Sequence, residues 1–230
     1  MKLLAIETAT EACSAALYID GVIQERYEVA PRQHTELILS MMDQLLAEAE
    51  LKLSQLDALA FGRGPGSFTG VRIATGVIQG TAFGAQLPVV PVSTLAALAQ
   101  RLHRMKGARR ILPAFDARMQ ELYWAAYEVA ADNLVTLVDA EQVATPEQVN
   151  LPEGDGWWGV GTGWTTYKDI LTQRMGDRLT AVEGDLFCSA QDVAQLAVRG
   201  YEAGEAVTAE QALPVYLRDQ VAKKPSSPKI

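Results

Sequence analysis

Short apolar segments and one long amphipathic segment organise the first fifty residues. Residues 3–6, 14–19 and 22–29 are apolar or alternate apolar with polar positions, which predicts three β-strands. Asp20 and Gly21 lie between the last two segments, and an Asp-Gly pair favours a two-residue hairpin turn. Beyond these strands the apolar residues recur every third or fourth position, which predicts a helix with a broad apolar face.

The next fifty residues alternate between strand and helix patterns. Residues 56–62 and 88–92 predict buried strands, and residues 68–84 predict a helix between them. A further helix follows Ser93, whose hydroxyl suits the N-cap position. Three meandering strands that lead into strand–helix alternation predict a mixed sheet with helices packed on it, which is the order of an RNase H-like unit.

The second half begins again with strands after a charged segment at residues 104–110. Its apolar runs predict strands at 110–117, 121–130, 134–144 and 157–163. A short helix is predicted from Thr145 and Pro146, and longer helices at 165–175 and 189–204. Ser189 and Asp192 have the spacing of a capping box at the start of the last helix. We therefore predict an α/β protein with a first lobe at residues 1–106, a second, smaller lobe at 107–221 whose last helix has room to pack on the first, and a disordered polar tail at 222–230.

Composition and charge narrow the functional classes. The 230 residues are 49% hydrophobic and carry a formal net charge of −8, which predicts a globular protein without a broad surface for nucleic acid. The chain contains two cysteines, Cys13 and Cys188, and two isolated histidines, His34 and His103, so neither a disulfide framework nor a two-histidine metal site is expected. No apolar run approaches the ~20 residues of a membrane span, and the expected location is the cytoplasm.

Polar residues at the ends of predicted strands form a candidate nucleotide or phosphate site. Glu7, Thr8 and Thr10 directly follow the first strand, where a carboxylate and turn N–H groups can hold a metal-bound phosphate. Asp116 ends the first strand of the second half, and Gly161 belongs to a fragment that resembles part of a nucleotide-binding glycine loop. The two groups would face each other across a cleft between the lobes. The alternatives are an ordinary polar turn for the first group and a surface ion pair for the second.

A glycine-rich stretch at residues 62–76 leads into the second helix. It lacks the lysine that a P-loop places after its last glycine, so an anion cradle at the helix start stays only an alternative. Within the helix, Gly76, Gly80 and Gly84 recur every fourth residue. Glycine costs helix stability, and a ladder of small residues lets another backbone approach closely, so the pattern favours a helix–helix contact.

The first helix carries two apolar columns that together are wider than one sheet contact requires. Leu37, Met41 and Leu45 form one column, and Ile38, Met42 and Leu46 form the other. We expect part of this face to stay exposed and, with the glycine ladder, to form a helix-bundle interface with a partner. The alternative is that all six side chains pack on the protein's own sheet.

Several segments resemble the bacterial TsaB (YeaZ) family over almost the whole chain. They are LAIETATEACSAAL, GRGPGSFTGVRIATGVIQGTAFG, DARMQELYWAAY, GVGTGW and PVYLR. The resemblance implies two RNase H-like lobes of the actin/Hsp70/sugar-kinase-like architecture. It also implies a part in making threonylcarbamoyladenosine next to the anticodon of tRNAs that read codons beginning with A.

The resemblance further implies a catalytic paralogue, TsaD, which carries an H-x-x-x-H metal motif after the shared glycine-containing turn. At the matching positions this chain has Thr94 and Leu98. A leucine cannot bind a metal and a threonine hydroxyl is a poor ligand, so no metal site and no catalytic residue are expected here. Relatives usually have Asp where this chain has Glu7, which weakens the interpretation of that position as a phosphate site.

The resemblance therefore predicts a non-catalytic scaffold. It would pair with TsaD, with the small ATPase TsaE and with itself as a homodimer, and it would meet tRNA only through the complex. The chain itself would require no cofactor, and ATP or ADP would belong to the complex. Two alternatives remain: an ATPase or small-molecule kinase that uses Glu7 and Asp116, and a metallopeptidase, against which the missing histidines argue.

Overall fold

The N-terminal strands form an antiparallel meander. The structure is a computed structural model that describes residues 1–218. The three strands are β1 (Lys2–Glu7), β2 (Ala12–Ile19) and β3 (Val22–Val29). Asp20 and Gly21 connect β2 to β3 with φ angles of 47° and 96°, and two positive φ values are what a tight hairpin turn of this kind requires. The predicted hairpin is confirmed.

Helices and parallel strands complete the first sheet. The elements are α1 (His34–Glu48), β4 (Ala58–Gly62), α2 (Phe68–Ala85), β5 (Val89–Val92) and α3 (Thr94–Lys106). The strand order is β3-β2-β1-β4-β5, with β1, β4 and β5 parallel to one another. The Ser93 hydroxyl accepts a hydrogen bond from the Ala96 N–H at 3.3 Å, so Ser93 caps α3 as predicted.

The second half repeats this topology. Its elements are β6 (Arg110–Arg118), β7 (Glu121–Trp124), β8 (Tyr127–Val129), β9 (Val135–Leu137), β10 (Gln142–Ala144), β11 (Trp157–Val160), α4 (Thr162–Thr166), α5 (Lys168–Met175), β12 (Leu179–Glu183) and α6 (Ala190–Glu202). The sheet runs β10-β7-β6-β11-β12, with β8 paired to β6 and β9. An antiparallel hairpin next to two parallel strands occurs in both halves, which confirms the predicted α/β class with two RNase H-like sheets.

Several sequence predictions in the second half are wrong in detail. Residues 121–130 form two strands because β7 pairs with the end of β6 while β8 pairs with its start, so the chain bends at Ala125 and Ala126. Thr145 begins a turn, with its carbonyl accepting from Gln148 N–H at 2.9 Å, and no helix follows. The half-buried strand β12 carries too weak an alternation to be predicted.

The two sheets share one hydrophobic core. Helices α3 and α6 lie on this core, and α6 packs directly on β1, β2, β4 and β5 of the first sheet. One cluster of buried side chains combines Leu3 and Ala60 of the first sheet with Ile111 and Val160 of the second. Because apolar packing is continuous between the halves, the division into lobes at residues 106 and 107 stays a prediction. The predicted tail at 222–230 lies outside the described residues.

The N-terminus of α6 is held by residues from other elements. Glu25 accepts hydrogen bonds from the Ser189 hydroxyl at 2.6 Å and from the Gln191 N–H at 3.0 Å. Asp192 instead receives two hydrogen bonds from Arg104, at 2.9 and 2.8 Å. The predicted capping box between Ser189 and Asp192 is therefore wrong, because a carboxylate from β3 takes the capping role at the positive end of the helix dipole.

We expect Asp192→Ala to lower the free energy of unfolding by about 2 kcal/mol, because it leaves the partly buried Arg104 without its two hydrogen-bond acceptors. Asp192 is fully buried, whereas Arg104 is 30% exposed. The measurement is urea unfolding followed by circular dichroism. Asp132→Ala is the matched control, because its pair with Arg199 is exposed and longer, at 3.6 Å, and should contribute less than about 1 kcal/mol. Equal losses in the two variants would contradict the prediction.

Candidate functional site

The carboxyl group of Glu7 is enclosed between β1 and β4. Its side chain is fully buried, and one oxygen, Oε1, accepts a hydrogen bond from the Ala9 N–H at 2.5 Å. The other oxygen, Oε2, has no hydrogen-bond partner among residues 1–218 and lies against Gly62, where a Cβ would come within 1.8 Å of it. Burial raises the pKa of Glu7 to about 7. A carboxyl group in this position is turned away from any phosphate in solvent.

The two threonines after β1 also point inward. Thr8 donates a hydrogen bond from Oγ1 to the Gly70 carbonyl at 2.7 Å. The Thr10 hydroxyl is buried and without a partner among the described residues, while the Thr10 carbonyl contacts the His34 ring at 2.8 Å. The structure therefore brings Glu7, Thr8 and Thr10 together as packing groups of one turn.

The glycine-rich turn before α2 packs against that same turn. A Cβ at Gly66 would lie 2.6 Å from the Ala9 carbonyl oxygen, and one at Gly70 would lie 2.1 Å from that of Thr8. The Ser67 N–H donates to the Ala9 carbonyl at 2.8 Å. This bond uses the N–H of the N-cap residue, whereas Phe68 and Thr69, whose N–H groups an anion at the helix start would need, are exposed. Close backbone packing, rather than an anion cradle, explains these glycines.

Asp116 belongs to a surface cluster on the second sheet. Arg118 donates to its carboxylate from the backbone N–H at 2.9 Å and from the guanidinium at 3.1 Å. The side chain of Arg118 is 85% exposed, so this contact is the surface ion pair given above as the alternative. Among residues 1–218, no hydrogen bond or ion pair joins Asp116 to Glu7.

Gly161 has a packing role as well. Its φ is 97°, and a Cβ there would lie 2.5 Å from the Ala114 carbonyl oxygen on β6. Its N–H donates to the Glu183 carbonyl at 3.0 Å. The residue lets the turn between β11 and α4 lie close to β6, which accounts for the glycines of this fragment without a ligand.

The outer face of α2 is open along the glycine ladder. Gly76, Gly80 and Gly84 are exposed, and a Cβ added to any of them would meet nothing within 4 Å. Phe83 lies beside them with 72% of its surface exposed. Internal packing explains Gly66 and Gly70 but leaves these three glycines unexplained.

The apolar columns of α1 are mostly part of the protein's own core. The exposed fractions are 1% for Ile38, 7% for Met41, 3% for Met42, 0% for Leu45 and 8% for Leu46. The expectation that part of this face stays exposed is therefore wrong for five of the six residues, because α1 packs on β2 and fills the core of the first sheet. Leu37 is half-buried, and its contact with a partner stays a prediction. Leu39, which lies off both columns, is 54% exposed.

A segment near the end of the described chain was missed by the sequence patterns. Residues 212–218, called the strap here, follow a short 3-10 helix at Ala209–Gln211. Val215 donates from its N–H to the Arg63 carbonyl at 2.8 Å. Arg218 donates to the Ala117 carbonyl at 3.0 Å and pairs with Glu121. The strap thus connects the loop after β4 with the hairpin between β6 and β7, and only the PVYLR resemblance pointed to it.

The positions that match the metal motif of TsaD lie in the core. Thr94 is fully buried and accepts a hydrogen bond from the Gly64 N–H at 3.0 Å, and Leu98 is fully buried among apolar side chains. Residues 1–218 contain no group of three His, Cys, Asp or Glu side chains arranged to hold a metal. None of the helices in that range is both long enough and apolar enough to cross a membrane.

The two repeated sheets define a protein of the actin/Hsp70/sugar-kinase-like architecture. A family model described as "TsaD: tRNA N6-adenosine threonylcarbamoyltransferase" matches residues 20–226. The "tRNA threonylcarbamoyladenosine biosynthesis protein TsaB" of Escherichia coli (strain K12) is 45% identical over 228 residues, which is 97% of each chain. The protein of that name in Haemophilus influenzae is 40% identical over 234 residues. A solved structure, "YeaZ from Pseudomonas aeruginosa", is 50% identical, with a TM-score of 0.87 over 94% of this chain and 99% of that one. The chain belongs to the TsaB (YeaZ) family.

The buried Glu7 predicts a specific dependence of stability on pH. Because its pKa in the folded state is raised from 4.5 to about 7, the folded protein holds this proton more tightly than the unfolded chain does. The stabilisation is complete below pH 4.5 and is lost as the pH rises through 7. Glu7→Gln has no carboxyl group to ionise, so its stability should not fall in this way. Between about pH 4.5 and pH 8, the free energy of unfolding of Glu7→Gln should rise by about 3 kcal/mol relative to that of the parent.

Urea unfolding of both proteins across this pH range provides the measurement. Glu11→Gln is the control, because Glu11 is exposed and follows the same turn. A difference between Glu7→Gln and the parent that does not change with pH would show that folding does not raise the pKa of Glu7.

Proposed function

We propose that this chain is a non-catalytic scaffold subunit in the biosynthesis of threonylcarbamoyladenosine in tRNA. It pairs with a catalytic paralogue of the TsaD type and with the ATPase TsaE. The paralogue transfers threonylcarbamoyl from its adenylate to N6 of the adenosine next to the anticodon. The substrates are tRNAs that read codons beginning with A. The similarity to the TsaB proteins supports the role in tRNA modification, and the open glycine face of α2 supports the docking of a partner. The site of action is the cytoplasm, where tRNA is modified.

The inward direction of the polar groups supports a non-catalytic role. Glu7 is buried, and the carboxylate of Asp116 is paired with Arg118. An ATPase or kinase would need these groups free to hold a nucleotide and its metal ion. The chain therefore needs no cofactor of its own, and ATP or ADP acts in the complex.

The α2 face has the properties of a helix-docking surface. Each glycine inside a helix costs up to ~1 kcal/mol relative to alanine, and three in one column are retained only if another backbone comes close. Phe83 and the half-buried Ile73 and Val77 supply apolar area along the same helix. An aromatic side chain at such an exposed position is typical of the residues that dominate binding energy at interfaces. The same face would support a homodimer when the paralogue is absent.

Gly80→Leu should weaken binding to the paralogue by about a hundredfold or more, or ~3 kcal/mol, through steric clash. The variant should stay folded and gain about 0.5–1 kcal/mol of helix stability, since no neighbour lies within 4 Å of the added Cβ. Gly80→Ala should show the same stability gain with a smaller loss of affinity. Calorimetry measures the affinity and circular dichroism the fold.

Ala131→Leu serves as the control, because it places the same leucine side chain at an exposed position between β8 and β9. In a reconstituted reaction with tRNA, the paralogue and the ATPase, Gly80→Leu should reduce modification while the control does not. Normal affinity and activity of Gly80→Leu would place the interface elsewhere. Met42→Glu is unsuitable as a probe, because Met42 is 3% exposed and the change would bury a charge in the core.

The isolated chain should bind tRNA only weakly, with a dissociation constant of about 1 µM or higher at physiological salt and a steep dependence on salt. Its net charge of −8 opposes the release of counterions from a phosphate backbone. The measurement is fluorescence anisotropy with labelled tRNA at several salt concentrations, with the chain alone and with the paralogue. Submicromolar binding by the chain alone would overturn the expectation that tRNA is reached through the complex.

A further inference from the structure

Arg72 on α2 is an exposed guanidinium that the protein holds in one position. Its Cζ atom lies 3.6 Å from the centroid of the Phe68 ring and 5.9 Å from that of the Tyr216 ring. Its Nε donates a hydrogen bond to the Tyr216 hydroxyl at 3.0 Å. The two rings pack against each other with centroids 5.9 Å apart, so α2 and the strap together fix the side chain.

This guanidinium has no acidic partner among residues 1–218. The half-buried Arg26 and Arg110 and the exposed Arg118 each pair with a carboxylate of the chain. Arg72, like the exposed Arg32 and Arg109, has no such partner among residues 1–218. Its two terminal amino groups make no hydrogen bond within the described residues, since only Nε is used. Arg72 differs from Arg32 and Arg109 in that two aromatic rings and a hydrogen bond hold its guanidinium in one position.

The position of Arg72 links it to the glycine face. Residues 72, 76, 80 and 84 are spaced by four and form one column along α2, with the guanidinium at the end nearest the helix start. A helix that lies against the three glycines would therefore extend toward Arg72. Phe68 and Tyr216, which are 54% and 43% exposed, flank this end of the column with apolar surface.

We propose that Arg72, held by Phe68 and Tyr216, is a preformed binding group for a carboxylate of the partner protein that docks on α2. The planar fork of a guanidinium matches a carboxylate in a two-point contact, and a side chain that is already ordered loses little entropy on binding. This inference rests on the scaffold function proposed above. It adds the chemistry that the partner must present: an Asp or Glu side chain at the end of the helix that crosses the glycine column.

The test compares the affinity of the full chain and its variants for the TsaD-type paralogue by calorimetry at low and at physiological salt. Arg72→Gln should weaken binding by about tenfold or more and flatten the salt dependence. Arg72→Lys should recover only part of the loss, because an ammonium cannot form the two-point contact. Tyr216→Phe, which removes the hydroxyl that accepts from Nε, should cost several-fold.

Lys168→Gln is the matched control, since it removes the same charge from an exposed position on α5. It should leave the affinity unchanged, and circular dichroism should show all variants folded. Replacing the acidic residues of the paralogue's docking helix one at a time should identify one whose loss has no further effect in the Arg72→Gln background.

Different results separate this inference from the scaffold proposal. If Gly80→Leu abolishes binding while Arg72→Gln binds like the parent, the scaffold function stands and the carboxylate contact is refuted. If Arg72→Gln weakens only the self-association of the chain, a second copy supplies the carboxylate and the inference is wrong for the paralogue. If the parent does not bind the paralogue, both proposals fail.

Discussion

The backbone contact between the β1–β2 turn and the start of α2 fixes the surface on which the proposed function depends. Gly66 and Gly70 let α2 come so close that no side chain fits between the two segments. This contact sets the direction in which the helix leaves the sheet. The same contact leaves the opposite, outer face of α2 exposed, and that is the face on which the proposed partner docks.

The same helix uses glycine for two different physical reasons. At its start, neighbours in the same chain require glycine, because a Cβ added at Gly70 would lie only 2.1 Å from the Thr8 carbonyl oxygen. Along its outer face, Gly76, Gly80 and Gly84 meet nothing and weaken the helix on their own. Packing within the chain explains the first group but not the second, and the proposed docking of a partner accounts for the second.

The sequence was sufficient for most of the fold and for only part of the site. The hairpin at Asp20 and Gly21 and the Ser93 cap have local signatures, so the elements around them were predictable. Periodicity could identify the apolar face of α1 but not which surface covers it, and the sheet proved to be the cover. The inward direction of Glu7 and the pinning of Arg72 by Tyr216 depend on residues more than fifty positions apart, which no local pattern reports.

The continuous core between the two sheets has a mechanical consequence. Kinases with two lobes close around a ligand by bending at a hinge, and such bending requires an interface between lobes that can part at little cost. Here Leu3, Ile111 and Val160 belong to one packed cluster, and α6 from the second half lies on the first sheet. Opening would expose this apolar surface to water, so bending between the two halves is costly. A subunit that resists bending keeps a constant distance between the two ends of its surface. It would therefore hold two partners bound at those ends at a fixed separation.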